Sequence, residues 1–115
     1  MHSTTRFLQG IYSFEGQGLD KPVPLHPDLS YRVPMGVTTQ PLYFRGGNST
    51  DELIIVVLVR DGVPMRYFPI GARAGTHVAL RVVENLEDET TLELHLAAPE
   101  ALTGVVVIDL GLVEI

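Results

Sequence analysis

The sequence contains no cysteine and no tryptophan. Without thiols there is no disulfide framework, no thiolate metal site and no cysteine nucleophile. A blue-copper centre falls with them, because it needs a cysteine ligand. Lysine is nearly missing too. Seven of the eight basic residues are arginine, against fourteen acids, and the formal charge is −6. Polyanion binders carry a basic excess, so no nucleic-acid partner is expected. The longest uninterrupted apolar run, Leu53–Val59, is far too short to span a bilayer, and no membrane partner is expected either. Met1–Arg6 has neither the basic start nor the apolar stretch of a signal peptide, which makes the cytoplasm the expected compartment. The glycosylation-like Asn48-Ser49-Thr50 is idle there. No segment keeps a helical period over the length of a helix.

What is present is ample apolar material in short pieces. The 115 residues are 45% hydrophobic, with 11 glycines and 8 prolines, which suits one domain over residues 1–115 with its own core. Periodicity and turn residues give strands at Arg6–Phe14, Leu29–Val33, Gln40–Arg45, Glu52–Arg60, Pro64–Pro69, His77–Glu84, Thr90–Ala98 and Gly104–Glu114. Between the first two lies Gly16–Asp28, a Pro/Gly-rich surface connection whose prolines bar it from a helix or a central strand, leaving at most an extended edge. Asp61-Gly62 is a hairpin turn pair, since both residues tolerate positive φ. Thr90–Ala98 alternates cleanly, with Leu92, Leu94 and Leu96 inward and Glu93 and His95 outward. About eight short strands predict an all-β, single-domain antiparallel β-sandwich, with a small β-barrel as the alternative. At fold level the chain resembles the immunoglobulin and fibronectin type III class in strand count and spacing, without the Cys–Trp–Cys signature. That resemblance implies a fold and no function.

Two strands are apolar on both faces: Leu53–Val59 and much of Val105–Val113. A two-layer sandwich buries one face of each strand, so something must cover the other. Leu53, Ile55, Val57 and Val59 are therefore the expected interface with a second copy or another protein, unless Gly16–Asp28 folds over them. Charge is lopsided as well. Residues 1–81 hold all eight bases and six acids, while residues 82–115 hold eight acids and no base. Interleaved strands would cancel this within one molecule, and two copies meeting basic middle to acidic end would cancel it between molecules.

Chemistry is thinly signalled. The four histidines lack metal-ligand spacing; only His77 and His95, on strands expected to be neighbours, form a metal candidate. No cofactor is expected. No serine sits on a nucleophile elbow. Asp109, within an apolar strand and on the face of Val105 and Val107, is expected to be a buried acid held by a partner. Arg45-Gly46-Gly47-Asn48 opens a polar, glycine-rich loop whose amides are a candidate anion nest. Arg66 and Tyr67 add an arginine–aromatic pair of the kind enriched at binding sites. The leading expectation is a non-catalytic binding or assembly module that self-associates or serves as an accessory subunit. A second is a small-ligand, anion or glycan-binding domain using residues 45–51 and 65–68. A third is a small metal-dependent or acid–base enzyme built on His77, His95 and Asp109.

Overall fold

The computed structural model describes residues 3–81 and 84–115, and it is a β-sandwich. Nine strands run in chain order: β1 Thr4–Glu15, β2 Gly18–Pro24, β3 Ser30–Arg32, β4 Thr39–Asn48, β5 Ile54–Arg60, β6 Val63–Ile70, β7 Gly75–Ala79, β8 Thr91–Ala98 and β9 Thr103–Glu114. A four-stranded sheet has the order β1-β9-β4-β7. A five-stranded sheet has the order β2-β8-β5-β6, with β3 also paired to β8. Each sheet thus alternates early and late strands, which is the interleaved Greek-key order of a jelly roll. An immunoglobulin sandwich distributes its strands differently, and no barrel closure is needed.

Inward residues follow the predicted alternation. Leu92, Leu94 and Leu96 of β8, Ile54, Val56 and Leu58 of β5, and Val106, Ile108, Leu110 and Leu112 of β9 are all buried in one cluster. Phe44 and Phe68 stack across the two sheets with ring centroids 4.3 Å apart and planes 9° from parallel. Each such fully buried side chain contributes about 1.5–3 kcal/mol of apolar burial. The β5–β6 hairpin turns on Asp61 and Gly62, both at positive φ (48° and 81°), as the residue pair predicts.

Within residues 16–28, Gly18–Pro24 takes the extended-edge form the prolines left open, as edge strand β2. Two local expectations change. Strand β4 continues through Gly46, Gly47 and Asn48, where the glycines suggested a loop. Strand β7 covers Gly75–Ala79, earlier than the expected His77–Glu84, of which residues 82 and 83 lie outside the described residues.

The doubly apolar β5 is closed by the chain itself. Val57 and Val59 on its outer face are only 1% and 2% exposed. The β2–β8 register breaks between Gly18 and Val23, and Leu19, Asp20 and Pro22 there form a wall beside Ile55, Val57, Tyr67 and Ala97. Of the four expected interface residues, Val57 and Val59 are therefore buried, Ile55 is half-buried, and only Leu53 is exposed. Charge asymmetry is also resolved internally, at least in part. Arg6–Glu114, Arg32–Glu89 and Arg66–Glu84 each join the basic part of the sequence to its acidic end.

Two polar clusters clamp the sandwich. Tyr31 of β3 donates to Glu114 Oε2 of β9 at 2.6 Å and lies 2.8 Å from Thr39 Oγ1 of β4, tying one sheet to the other. Arg6 Nε approaches the same carboxylate at 3.2 Å. At the end of β4, the buried Asn48 amide donates to the carbonyls of Glu52, Ile70 and Gly71, and its Oδ1 accepts from Thr50 N and Oγ1. Net contributions of about 0.5–1.5 kcal/mol per bond make this side chain a structural lock.

Candidate functional site

The outer face of the four-stranded sheet remains open and carries side chains in cross-strand rows. One row reads Gln9 (β1), Asp109 (β9), Arg45 (β4) and His77 (β7). The row beside it reads Phe7, Gly111, Tyr43 and Ala79. Tyr43 reaches this face because β4 shifts register between Pro41 and Tyr43. Phe44, next in sequence, points the other way into the core at 0% exposure, as a strand's two-residue period requires.

Tyr43 is the centre of the arrangement. Its ring lies over Gly111, where an added Cβ would come within 2.1 Å of Tyr43 Cε2. Its hydroxyl donates to Asp109 Oδ1 at 2.9 Å. His77 meets the ring edge-on, with centroids 6.1 Å apart and planes 87° from parallel. The Arg45 guanidinium carbon stands 5.8 Å from the ring centroid, in cation–π range. Burial first, then the hydrogen bond and charge of Asp109, push the Tyr43 phenol upward, so it stays protonated and donating at neutral pH. Tyr43, Arg45 and His77 line a shallow depression of about 240 Å³. An aromatic face flanked by a carboxylate, a guanidinium, an imidazole and the Gln9 amide suits a ligand with apolar faces and many hydroxyls. Such a set can stack on a ligand and hydrogen-bond it.

The residues expected to act together are mostly separated. Arg45 belongs to this face. Gly46 and Gly47 are in the ladder, the Asn48 amide bonds Ala74 O, and the Ser49 amide bonds Val105 O, so no anion nest forms. Gly46 is small for packing, since a Cβ there would meet Ile70 Cδ1 at 2.7 Å. Arg66 and Tyr67 lie instead on a groove of about 490 Å³ between β6 and β7, shared with Phe68, Thr76, Val78 and Arg81. Arg66 is already engaged by Glu84 there. His77 and His95 are in different sheets, His77 on β7 and His95 on β8 beside Glu93. Among the described residues no group of three or more His, Asp or Glu side chains comes together as a metal site.

Asp109 is not the buried acid. It shares the face of Val105 and Val107, as its spacing indicates, but that is the outer face, and Asp109 is half-buried. Glu114, on the inner parity of β9, is the buried acid at 8% exposure. Tyr31's hydrogen bond and then Arg6 hold it below the usual carboxylate range against the opposing effect of burial. Tyr43, Gln9, Gly111 and Phe7 escaped sequence reasoning. The signal for Gly111 was a glycine interrupting an otherwise branched, apolar strand.

No family model and no curated protein matches the chain. Solved structures do share its fold. The CBM36-1 domain of a multidomain xylanase from the hindgut metagenome of Trinervitermes trinervoides is 17% identical, with a TM-score of 0.58 over 96% of each chain. A carbohydrate-binding module CBM36 in complex with calcium and xylotriose is 18% identical, with a TM-score of 0.59 over 94% of this chain and 97% of that one.

Proposed function

We propose that this chain is a non-catalytic carbohydrate-binding module that holds a glycan on the outer face of its four-stranded sheet. The observation that carries the reading is the Tyr43 platform: a ring bedded on Gly111, fixed by Asp109, and edged by Arg45 and His77. An aromatic ring fixed in advance takes the apolar face of a sugar without paying much ordering entropy. Gln9, Asp109, Arg45 and His77, in one cross-strand row beside the ring, supply acceptors and donors for sugar hydroxyls. The fold shared with two carbohydrate-binding domains supports the same reading.

Calcium, present in one of those complexes, takes several oxygen ligands. The acids described here do not converge, and Asp109 is turned to Tyr43, so the residues present do not fit the ion. Binding is accordingly assigned to side chains alone. Assembly through β5 loses two of the four residues that suggested it, because the chain buries Val57 and Val59 itself.

The test is calorimetry and affinity electrophoresis against soluble xylan, glucomannan, mixed-linkage β-glucan, pullulan and pectin. At least one should bind, and Tyr43→Ala should weaken it at least about tenfold while the chain keeps a cooperative thermal transition lowered by no more than about 8 °C. Absence of binding across the panel, or equal binding by Tyr43→Ala, rejects the reading.

A further inference from the structure

A sheet edge leaves backbone N–H and C=O groups without partners, and folded chains guard such edges with prolines, lysines, bulges or short strands. Among the described residues the two sheets end in β1, β7, β2 and β6, and three of these edges are guarded. Strand β2 carries Pro22, Pro24 and Lys21, the chain's single lysine, and it breaks its register with β8. Strand β6 carries Pro64 and Pro69 and slips its register against β5. Strand β7 is only five residues long. Strand β1 has none of these devices. It runs for twelve residues without proline or lysine, and its pairing with β9 never slips. Among the described residues no other backbone bonds to Thr4–Glu15. Two side chains reach its carbonyls, Tyr12 at Gln9 O and Gln17 at Glu15 O, at 3.4 and 3.5 Å, both longer than good hydrogen bonds.

The strand that fits this edge is β1 of a second copy. A two-fold axis perpendicular to the sheet pairs the two strands antiparallel and keeps the outward side chains of both copies on one face. With the axis at Gln9, the whole span Thr4–Phe14 pairs with itself. Phe7 of each copy then stands opposite Ile11 of the other. These are the exposed apolar side chains of β1, at 51% and 72%, and an aromatic opposite a β-branched residue is a favourable cross-strand pair. Thr5 meets Ser13. Arg6, held by Glu114, meets Tyr12, and Glu15 falls past the pairing, so no like charges are opposed. Because the other edges are guarded, the assembly closes at two copies and does not grow into a fibre. We propose that the chain forms a two-fold dimer through β1, joining two four-stranded sheets into one continuous sheet with both Tyr43 rings on the same side. The inference goes beyond the glycan reading and stands without it.

The experiment is sedimentation velocity and light scattering of the full 115-residue chain from about 1 to about 300 µM. A dimer should grow with concentration, and nothing larger should appear. Phe7→Lys together with Ile11→Lys sets like charges face to face across the axis. The pair should weaken dimerisation at least about tenfold, while circular dichroism and a cooperative melt show the fold intact. Because the chain has no cysteine, single substitutions read the register directly. Residues directly opposite on antiparallel strands lie within disulfide reach, so Gln9→Cys should cross-link on mild oxidation. Ser13→Cys should not, since its two copies stand roughly 27 Å apart along the strands. Four outcomes each overturn the proposal: a monomer throughout the range, a dimer indifferent to the paired lysines, oligomers that lengthen with concentration, or cross-linking at Ser13 as fast as at Gln9.

Discussion

On the outer face of the five-stranded sheet, Val57, Val59 and Ala97 are shut off from water by the molecule's own side chains and by the Leu19–Pro22 excursion beside them. On the outer face of the four-stranded sheet, Phe7, Ile11, Val105 and Val107 stay 36–72% exposed. Both faces carry apolar residues along a central strand. The difference lies in the edge strand. At one edge, β2 leaves its register with β8 between Gly18 and Val23, and the freed residues wall the sheet; at the other, β1 pairs with β9 without interruption from Thr4 to Glu15. An uninterrupted edge strand leaves its sheet open, and that openness is what gives Tyr43 a surface to present.

The sharpest way to break the contrast is to charge the closed face. Val57→Asp would place a carboxylate at a position 1% exposed. His95 and Tyr67 flank it in register, with no arginine or lysine opposite it. A destabilisation of about 3 kcal/mol or more is expected in urea unfolding, through an unpaired buried charge. A change below about 1 kcal/mol would mean that the face opens readily, and would restore β5 as an interface.

The same contrast shows which parts of the sequence were legible. Short-range patterns were: the Leu92/Leu94/Leu96 alternation, the Asp61-Gly62 turn and the apolar β5 each appear as read. Strand order was not, because the pairing of β1 with β9 joins the two ends of the chain and leaves no local mark. Parity in β9 was readable, but not which parity faces inward. Val106, Ile108, Leu110 and Leu112 beat Val105 and Val107 for the core, so Glu114 became the buried acid in place of Asp109. Gly46-Gly47-Asn48 resembled a loop because glycine and asparagine favour turns. Here Gly46 instead yields to Ile70, and Asn48 satisfies carbonyls at the end of the sheet. Of the candidate site, sequence singled out Arg45 for a loop and His77 for a metal, whereas Tyr43, Gln9, Phe7 and Gly111 join them only through register.

The seam between the sheets gives an intermediate effect with a defined pH signature. Glu114 titrates below its ordinary value of 4.5, mainly because Tyr31 donates to the ionised form. A depressed carboxylate stabilises the fold above the unfolded-state value and loses that contribution as pH falls through the folded one. Tyr31→Phe should therefore cost about 1–2 kcal/mol at pH 7, as expected for a hydrogen bond to a charged group. The gap from wild type should narrow as pH drops below about 4.5. A gap that stays constant from pH 7 to pH 3 would assign the loss to packing and leave the carboxylate uninvolved. Because β3 and β9 belong to opposite sheets, this variant weakens both faces equally and should not alter the contrast between them.

A smaller effect is expected at Gly111, on the open face. Gly111→Ala would bring a methyl group against the Tyr43 ring, whose flexible side chain can swing away. The lost bond to Asp109 is half-buried, so stability should fall by only about 1 kcal/mol or less. Glycan affinity should fall nearly as far as in Tyr43→Ala, since the ring no longer lies flat. Full affinity in Gly111→Ala would show that the bedded orientation of Tyr43 is irrelevant.

Val107→Asp carries the smallest expected effect and the most direct comparison with Val57→Asp. Val107 is 46% exposed, pairs with Ile11 and Gly47, and faces water, so stability should change by no more than about 0.5 kcal/mol. It lies four residues along β9 from Gly111, about 13 Å away at the strand's rise. A ligand laid across the strands over Tyr43 does not reach it, whereas one laid along β9 must. Unchanged glycan affinity in Val107→Asp therefore fits a ligand that crosses the strands, and a loss comparable to that of Tyr43→Ala fits one that follows β9 over the Val105–Val107 strip.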